Sequence, residues 1–362
     1  MSRVIKKLKN KDILIIPITM TLLSICGTTF GMSEEALPFY AIFIPIMMGI
    51  GYDSMTAFII CFLGPNLGYC ASTIDPFNVL IAQGIIGIEG NPQLWLRAVS
   101  WVIFTAVGIA WAMRYAMRVK KNPESSIVYE DDKLKRIEFS VTDASIEEEF
   151  IIRQKLVLID FACGMGIIVW GLVTQGWYMN EISAVFLGMG LLAGILGGLD
   201  QQTIAEEFVK GLADFAYAAI VIGIARGILV IAEGGMIIDT ILQALATALA
   251  GAPAAVYTTF MYIVLGLLSL LVPSSSGLAA LTMPVMGPLT ELMGLNPEAA
   301  VTALQFANQT INTISPVAGM TVAGLAVARI SFGQWWKTIW KFFIFMVVFG
   351  VIVTAISGML PV

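Results

Sequence analysis

The sequence has no histidine among its 362 residues. Histidine metal ligands and histidine proton relays are therefore excluded. Charge is scarce as well: 12% of residues are Asp, Glu, Lys or Arg, where an ordinary soluble domain carries about 25%. The four cysteines (Cys26, Cys61, Cys70 and Cys163) lie inside apolar segments without metal-type spacing and read as small hydrophobes in helix packing. No basic, aromatic-interleaved patch points to nucleic acid, and the net charge of −5 says little about partners because the charges sit in loops. Intramembrane catalysis would have only Asp75 and the Glu34/Glu35 pair to draw on, so the chain reads as a non-enzyme with no metal and no cofactor.

What abounds is apolar surface. The chain is 58% hydrophobic with a mean hydropathy of +0.87, and apolar stretches of about 17–25 residues, the length of a membrane-spanning helix, recur along it. An all-α polytopic membrane protein is expected. Apolar segments run over 12–30 and 36–50, then 54–88 with an interruption around Gly68–Pro76, then 99–117. A hydrophilic stretch over 119–154, with Glu130-Asp131-Asp132 and Glu147-Glu148-Glu149, reads as a solvated linker. Further segments cover 155–174, 181–198 and 211–233, the last with Arg226 inside it. Residues 236–250, with Asp239 and Gln243 on one side, suit the interface plane. Segments 254–272, 277–293, 297–329 and 338–360 complete the chain. The N-terminus imitates a signal peptide, with Arg3, Lys6, Lys7, Lys9 and Lys11 before an apolar run ending in Leu23-Ser24-Ile25-Cys26. An internal repeat argues against cleavage, because this run aligns with 254–272.

That repeat is the most informative feature. Pro45, Gly51, Asp53 and Ala57 recur as Pro288, Gly294, Asn296 and Ala300, each 243 residues later. Thr73-Ile74-Asp75-Pro76 recurs as Thr313-Ile314-Ser315-Pro316, 240 residues later. A small-polar cluster precedes each copy: Gly27-Thr28-Thr29 to Ser33, and Pro273-Ser274-Ser275-Ser276-Gly277. Matched interruptions of apolar segments in two halves of one chain point to the midplane site of a secondary transporter.

Basic loops stay cytoplasmic. A cytoplasmic N-terminus places 114–153, 199–210 and 329–341 inside and leaves only Arg97 in the outer loops. Each helix pair around a small-polar cluster must then enter and leave on one side, giving an inverted repeat with two re-entrant helical hairpins and two discontinuous transmembrane helices. The expected layout is a first, incomplete repeat over 1–118, with an inward-opening hairpin 12–50 and a broken helix 54–88. The cytoplasmic linker 119–154 follows, then a second repeat over 155–362 with hairpin 254–293 and broken helix 297–329. The second half has segments before its hairpin that the first lacks, so the chain reads as beginning part-way through its first repeat.

Irregular backbone at membrane depth is tolerated where it lines a cavity or is buried in protein. Half-helix N-termini suit a carboxylate, while freed carbonyls and half-helix C-termini suit a cation. Candidate substrate contacts are Ser33, Ser72, Thr73, Asp75, Asn78, Ser274, Ser275, Ser276, Asn308, Asn312, Thr313 and Ser315, with Gln309 beside them. Asp75, Glu34 and Glu35 are candidates for a coupling ion or a substrate ammonium group, because an acid inside a membrane is expensive. A helix-capping role for Glu34 or Glu35 stays open, as does a Pro/Gly kink satisfied by Ser and Thr at either interruption.

At these residues the chain resembles the YfcC-type members of the anaerobic C4-dicarboxylate carrier (DcuC-like) family of the ion transporter superfamily. The resemblance is carried by Phe30-Gly31-Met32-Ser33-Glu34-Glu35-Ala36, by Gly51 to Thr56, by Ser72 to Pro76 with Asn78 and Ala82-Gln83-Gly84, and by Val119 to Pro123. Pro273 to Pro284 and Ala303-x-Gln305-Phe306 add to it, so that it covers essentially the whole chain. It implies an inner-membrane secondary carrier working by an elevator-like movement on C4-dicarboxylates or amino acids, including exchange of basic amino acids. Many relatives have Asn where Asp75 stands and Gly-Asp-Gly where Ala307-Asn308-Gln309 stand, so an acid has moved from the second interruption to the first.

The expectation is a secondary active transporter of a small carboxylate-bearing metabolite, with Na+ or H+ as candidate coupling ion. A homodimer in membrane lipid is one candidate assembly. The alternative is a non-transporting or partner-dependent membrane fragment of such a carrier.

Overall fold

The computed structural model describes residues 12–138, 152–175, 177, 179–237, 240, 244, 247 and 252–361. The basic residues before Asp12, the run Glu147-Glu148-Glu149, Asp239, Gln243 and the side chain of Arg226 lie outside this description. Among the described residues there is no strand, and the regular structure is helical.

In chain order the helices are α1 (Ile15–Phe30), α2 (Leu37–Gly49), α3 (Ser54–Cys70), a π-helical turn (Pro76–Leu80) running into α4 (Ile81–Ile86), α5 (Leu94–Lys121) and α6 (Tyr129–Glu138). Then come α7 (Ile152–Trp170), α8 (Met179–Gly197), α9 (Gln201–Gly234), α10 (Ala254–Ser269), α11 (Ser275–Leu292), α12 (Glu298–Asn312), α13 (Gly319–Ala328) and α14 (Phe332–Met359). Among the described residues, three helical stretches, Asp12–Phe30, Leu94–Lys121 and Phe332–Met359, are long and apolar enough to cross a membrane. At 1.5 Å per residue the two 28-residue helices reach roughly 40 Å, beyond a hydrocarbon core of about 30 Å. The chain is an integral membrane protein.

Chain contacts divide the molecule into two units: Arg3–Ser140 with Tyr217–Val362, and Val141–Ala216. In the smaller unit α7 packs on α8 through Gly164, where a Cβ would meet the Met189 side chain at 1.7 Å. Trp170 and Trp177 close the end of that pair edge-to-face.

The larger unit is organised around α3 and α12. Every residue of the largely apolar α3 is buried, the state expected of a helix that is apolar on all sides. Glu298 to Thr310 of α12 are buried too, although they include Glu298, Gln305, Asn308 and Gln309. The two helices run antiparallel past each other: Asn66 meets Thr313, Cys70 meets Phe306 and Thr310, and Ser72 meets Gln305. Helices α5 and α14 are antiparallel too, with Gln93 against Ser357, Phe104 against Phe345 and Phe349, and Trp111 against Phe342. Helix α1 lies parallel to α3 and so close that a Cβ on Gly27 would sit 2.1 Å from the Pro65 carbonyl, and one on Gly68 would sit 1.9 Å from the Ser24 carbonyl. Small residues of this kind let membrane helices touch backbone to backbone.

The stretch read as a solvated linker is not wholly so. Helix α6 buries Asp132 and Lys135, which pair with each other at 3.1 Å. Asp132 accepts from the Ser54 backbone N–H at 2.7 Å and its hydroxyl at 2.5 Å, satisfying an amide at the start of α3 that has no partner within the helix. Arg136 donates to the carbonyls of Met48 and Tyr52. A charged helix is here held by the polar ends of its neighbours, which composition alone does not show.

Candidate functional site

Both central helices stop short. Helix α3 ends at Cys70 and helical structure resumes at Pro76; α12 ends at Asn312 and α13 begins at Gly319. At the first break Asp75 is the N-cap of the helix that follows. Its Oδ1 accepts the Phe77 N–H at 3.0 Å and its Oδ2 accepts the Ser72 hydroxyl. Pro76 at the first helical position costs nothing there, since that N–H would be unpaired anyway. Ser72 and Asp75 have no exposed surface.

The turn after α1 is clasped to this break. The Thr28 carbonyl accepts from the backbone N–H of Thr73 at 3.0 Å, from that of Ile74 at 3.3 Å and from the Thr73 hydroxyl at 3.0 Å. The Thr28 hydroxyl in turn donates to the Ala71 carbonyl at 3.2 Å. Gly31 closes α1 with φ 73°, a left-handed conformation that favours glycine. A Cβ there would also press on Asp75 Oδ1 at 3.2 Å and on the rings of Phe77 and Tyr69. Next to it Ser33 is buried, donates its hydroxyl to Met320 Sδ at 3.1 Å, and gives its backbone N–H to the buried Glu35 at 2.9 Å. Glu34, one residue away, is exposed.

The second break has its own clasp. Ser275, in the first turn of α11, donates to Asn308 Oδ1 at 2.9 Å and accepts from Gln309 Nε2 at 2.8 Å. Asn308 Oδ1 also accepts from Asn312 Nδ2 at 3.1 Å, and Asn312 reaches the Pro273 carbonyl at 2.7 Å. The single Thr313 hydroxyl proton is shared between Asn66 Oδ1 at 3.2 Å and the Gln309 carbonyl at 2.9 Å, while Ser315 takes the Val317 N–H at 3.3 Å. The N-cap of α13, Ala318, has no side-chain acceptor to offer the amides behind it.

Besides the Ser33–Met320 and Thr313–Asn66 contacts, two further bonds join the clasps. Tyr69 of α3 donates its hydroxyl to Ser275 at 3.0 Å, and Gln305 of α12 donates to the Ser72 carbonyl at 3.2 Å. Ser72, Thr73, Asp75, Ser275, Asn308, Asn312 and Thr313 thus belong to one hydrogen-bonded core. Ser274 stands apart: it is exposed and caps α11 by accepting the Gly277 N–H at 3.3 Å. Ser276 is half-buried beside it. Asn78 is fully buried with neither amide atom partnered, and Gln305 Oε1 and Asn312 Oδ1 are likewise buried without a partner. Unpaired polar groups in such a place are costly and are what a polar ligand or ordered water would satisfy.

Sequence reasoning missed Tyr69, Asn91, Arg97, Glu298 and Trp335. Arg97, assigned to an outer loop, is in the first turn of α5 and wholly buried against Glu298. Trp335 donates its indole N–H to the Thr313 carbonyl at 2.8 Å. Asn91 donates to the Thr73 carbonyl at 2.7 Å. The 240-residue offset that pairs Thr73 with Thr313 could have prompted a search for such donors after each break, but not their identity.

A family model described as a C4-dicarboxylate anaerobic carrier matches residues 1–358. Over 345 residues the chain is 36% identical to an Escherichia coli (strain K12) protein named "Putative basic amino acid antiporter YfcC", covering 92% of this chain and 67% of that one. It is 32% identical over 334 residues to an uncharacterized protein of Haemophilus influenzae, covering 92% and 65%. The chain spans about two thirds of the length of these curated relatives. Among solved structures, the YdaH transporter of Alcanivorax borkumensis gives a TM-score of 0.44 at 13% identity over 94% of this chain and 84% of that one. MtrF of Neisseria gonorrhoeae gives 0.45 at 15% identity over 99% and 76%.

Proposed function

We propose a carrier function from one premise: the chain belongs to the C4-dicarboxylate anaerobic carrier family. Its family is one of membrane carriers rather than enzymes. In our reading it is a secondary active transporter of the bacterial inner membrane, with a cytoplasmic N-terminus. It moves a small carboxylate-bearing metabolite by an elevator-like displacement of the two clasps, each a re-entrant hairpin tip docked on a broken helix, within an inverted repeat. The observation that carries this reading is the antiparallel passage of α3 and α12, which joins Ser72 and Ser275 to one hydrogen-bonded core. Two equivalent helices related by inversion must run in opposite directions, and the second pair, α5 with α14, does the same.

The polar groups that converge here favour an amino acid over a dicarboxylate. Asp75 brings an acid to the first break, and the buried Glu35 is a second acid in the turn after α1; acids of this kind suit an ammonium group or a coupling cation such as Na+ or H+. The second break is neutral and offers the uncapped N-terminus of α13, which suits a carboxylate. A molecule with one charge of each sign matches both ends. The basic amino acid in the name of the Escherichia coli relative agrees with this assignment, and the family description names the competing one.

The test is counterflow in proteoliposomes with L-arginine and with succinate. Asp75→Asn is expected to abolish L-arginine exchange, a loss of 100-fold or more, at unchanged protein level. Normal L-arginine exchange by Asp75→Asn would remove Asp75 from the mechanism. Saturable succinate exchange that Asp75→Asn leaves intact would replace the amino acid by a dicarboxylate.

A further inference from the structure

Arg97 and Glu298 form an ion pair with essentially no exposed surface, at 0% and 1%. Two charges so far from water need each other and further hydrogen bonds. Glu298 finds them: Oε2 accepts Arg97 Nη2, Oε1 accepts Gln83 Nε2 at 2.7 Å, and its backbone N–H goes to Asn296 Oδ1 at 3.0 Å. Arg97 directs its other terminal nitrogen, Nη1, to Asn91 Oδ1 at 2.6 Å. Asn91 Nδ2 then donates to the Thr73 carbonyl at 2.7 Å. A guanidinium has donors only. Facing Asn91, it must meet the amide oxygen, which leaves the amide nitrogen, and no other group, to turn toward Thr73.

We propose that Arg97 is a positioning residue for the first helix break. It acts through Asn91 on the Thr73 carbonyl, and through Glu298 it ties that carbonyl to the first turn of α12, the helix that leads into the second break. Thr73 lies two residues before Asp75, so fixing its peptide fixes the direction of the Asp75 carboxylate. The consequence for transport rests on the carrier reading above. The mechanical claim does not.

Two variants separate the relay from the ion pair. Asn91→Ala removes both of its arms. Asn91→Asp keeps an acceptor for Arg97 and loses the donor to Thr73. Hydrogen–deuterium exchange on the purified full-length chain is expected to speed up about tenfold across 72–80 in both variants, with 300–312 unchanged. The melting midpoint of Asn91→Asp should fall less than that of Asn91→Ala, because Arg97 keeps its acceptor. In L-arginine counterflow both should raise the half-saturating concentration about tenfold while the maximal rate stays within twofold. Unchanged exchange across 72–80 in Asn91→Asp overturns the inference, whatever transport does. If the unaltered protein shows no counterflow of either probe, the carrier reading falls, and exchange across 72–80 still decides the relay.

Discussion

The two breaks are built alike and finished differently. Thr73 and Thr313 occupy matched positions, and each has a carbonyl taken by a side chain from beyond the break. At Thr73 the donor is the Asn91 amide, backed by the buried charges of Arg97 and Glu298. At Thr313 it is the Trp335 indole, packed edge-on against the stacked rings of Phe58 and Phe62. Two residues further on, Asp75 holds its own helix start with a carboxylate where Ser315 has a hydroxyl. The first break therefore combines charge with charged support, and the second combines neutral amides with aromatic support. In the carrier proposed above, one scaffold used twice would present different polarity to the two ends of one ligand because its halves are free to differ at single positions.

The largest expected effect comes from erasing that polarity. Asp75→Asn leaves the shape of the first break and removes its charge, so cationic-substrate exchange should vanish, by 100-fold or more in counterflow, with the protein still made. The packing of the halves should separate next. Gly68→Ala drives a Cβ into the Ser24 carbonyl at 1.9 Å, backbone that cannot turn aside, while Gly266→Ala meets only the Ile311 side chain at 3.3 Å. Overpacking costs about 1–3 kcal/mol or more where nothing yields, so Gly68→Ala should lower the melting midpoint by several degrees and Gly266→Ala by about one degree or less. Equal losses would mean that the α1–α3 contact is no tighter than the α10–α12 contact.

Much of this comparison could be read from the chain. The offset of 240 residues located Thr73, Asp75, Thr313 and Ser315 because a break in a buried helix needs proline and small polar residues, and these stand out in apolar sequence. Three kinds of feature could not be read. Serines 274, 275 and 276 look equivalent in sequence, and only the phase of α11 turns Ser275 onto Asn308 and leaves Ser274 outside. Arg97 and Glu298 are 201 positions apart and carry no local mark of being partners. Asp132 and Lys135 sit in a stretch whose composition signals water, yet the polar start of α3 takes them in. Periodicity and repeats report the path of the backbone; long-range polar pairing is set by how the helices come together.

Trp335→Phe sharpens the difference in support. It keeps an aromatic ring against Phe58 and Phe62 and removes the N–H that serves the Thr313 carbonyl. A buried carbonyl left without its donor costs about 1–3 kcal/mol. Amide exchange should rise in 313–320 and not in 72–80, the reverse of the Asn91 variants. Loosening of both breaks together would show that the supports are not independent.

The smallest effect concerns the two turns that clasp the breaks. Ser33 is buried against Met320 and makes no cap for the short turn after it, whereas Ser274 is exposed, caps α11 and otherwise meets only the Ser276 hydroxyl at 3.4 Å. Losing a serine cap costs about 0.5–2 kcal/mol, and at an exposed position the lower part of that range applies. Ser274→Ala should therefore lower the melting midpoint by a degree or two and leave the half-saturating L-arginine concentration within about twofold. Ser275→Ala, one position along, should raise it by much more, because Tyr69, Asn308 and Gln309 all lose a partner. If Ser274→Ala instead weakened transport tenfold, the exposed serine would have to face the ligand in another state of the cycle, and the second clasp would open much further than the first.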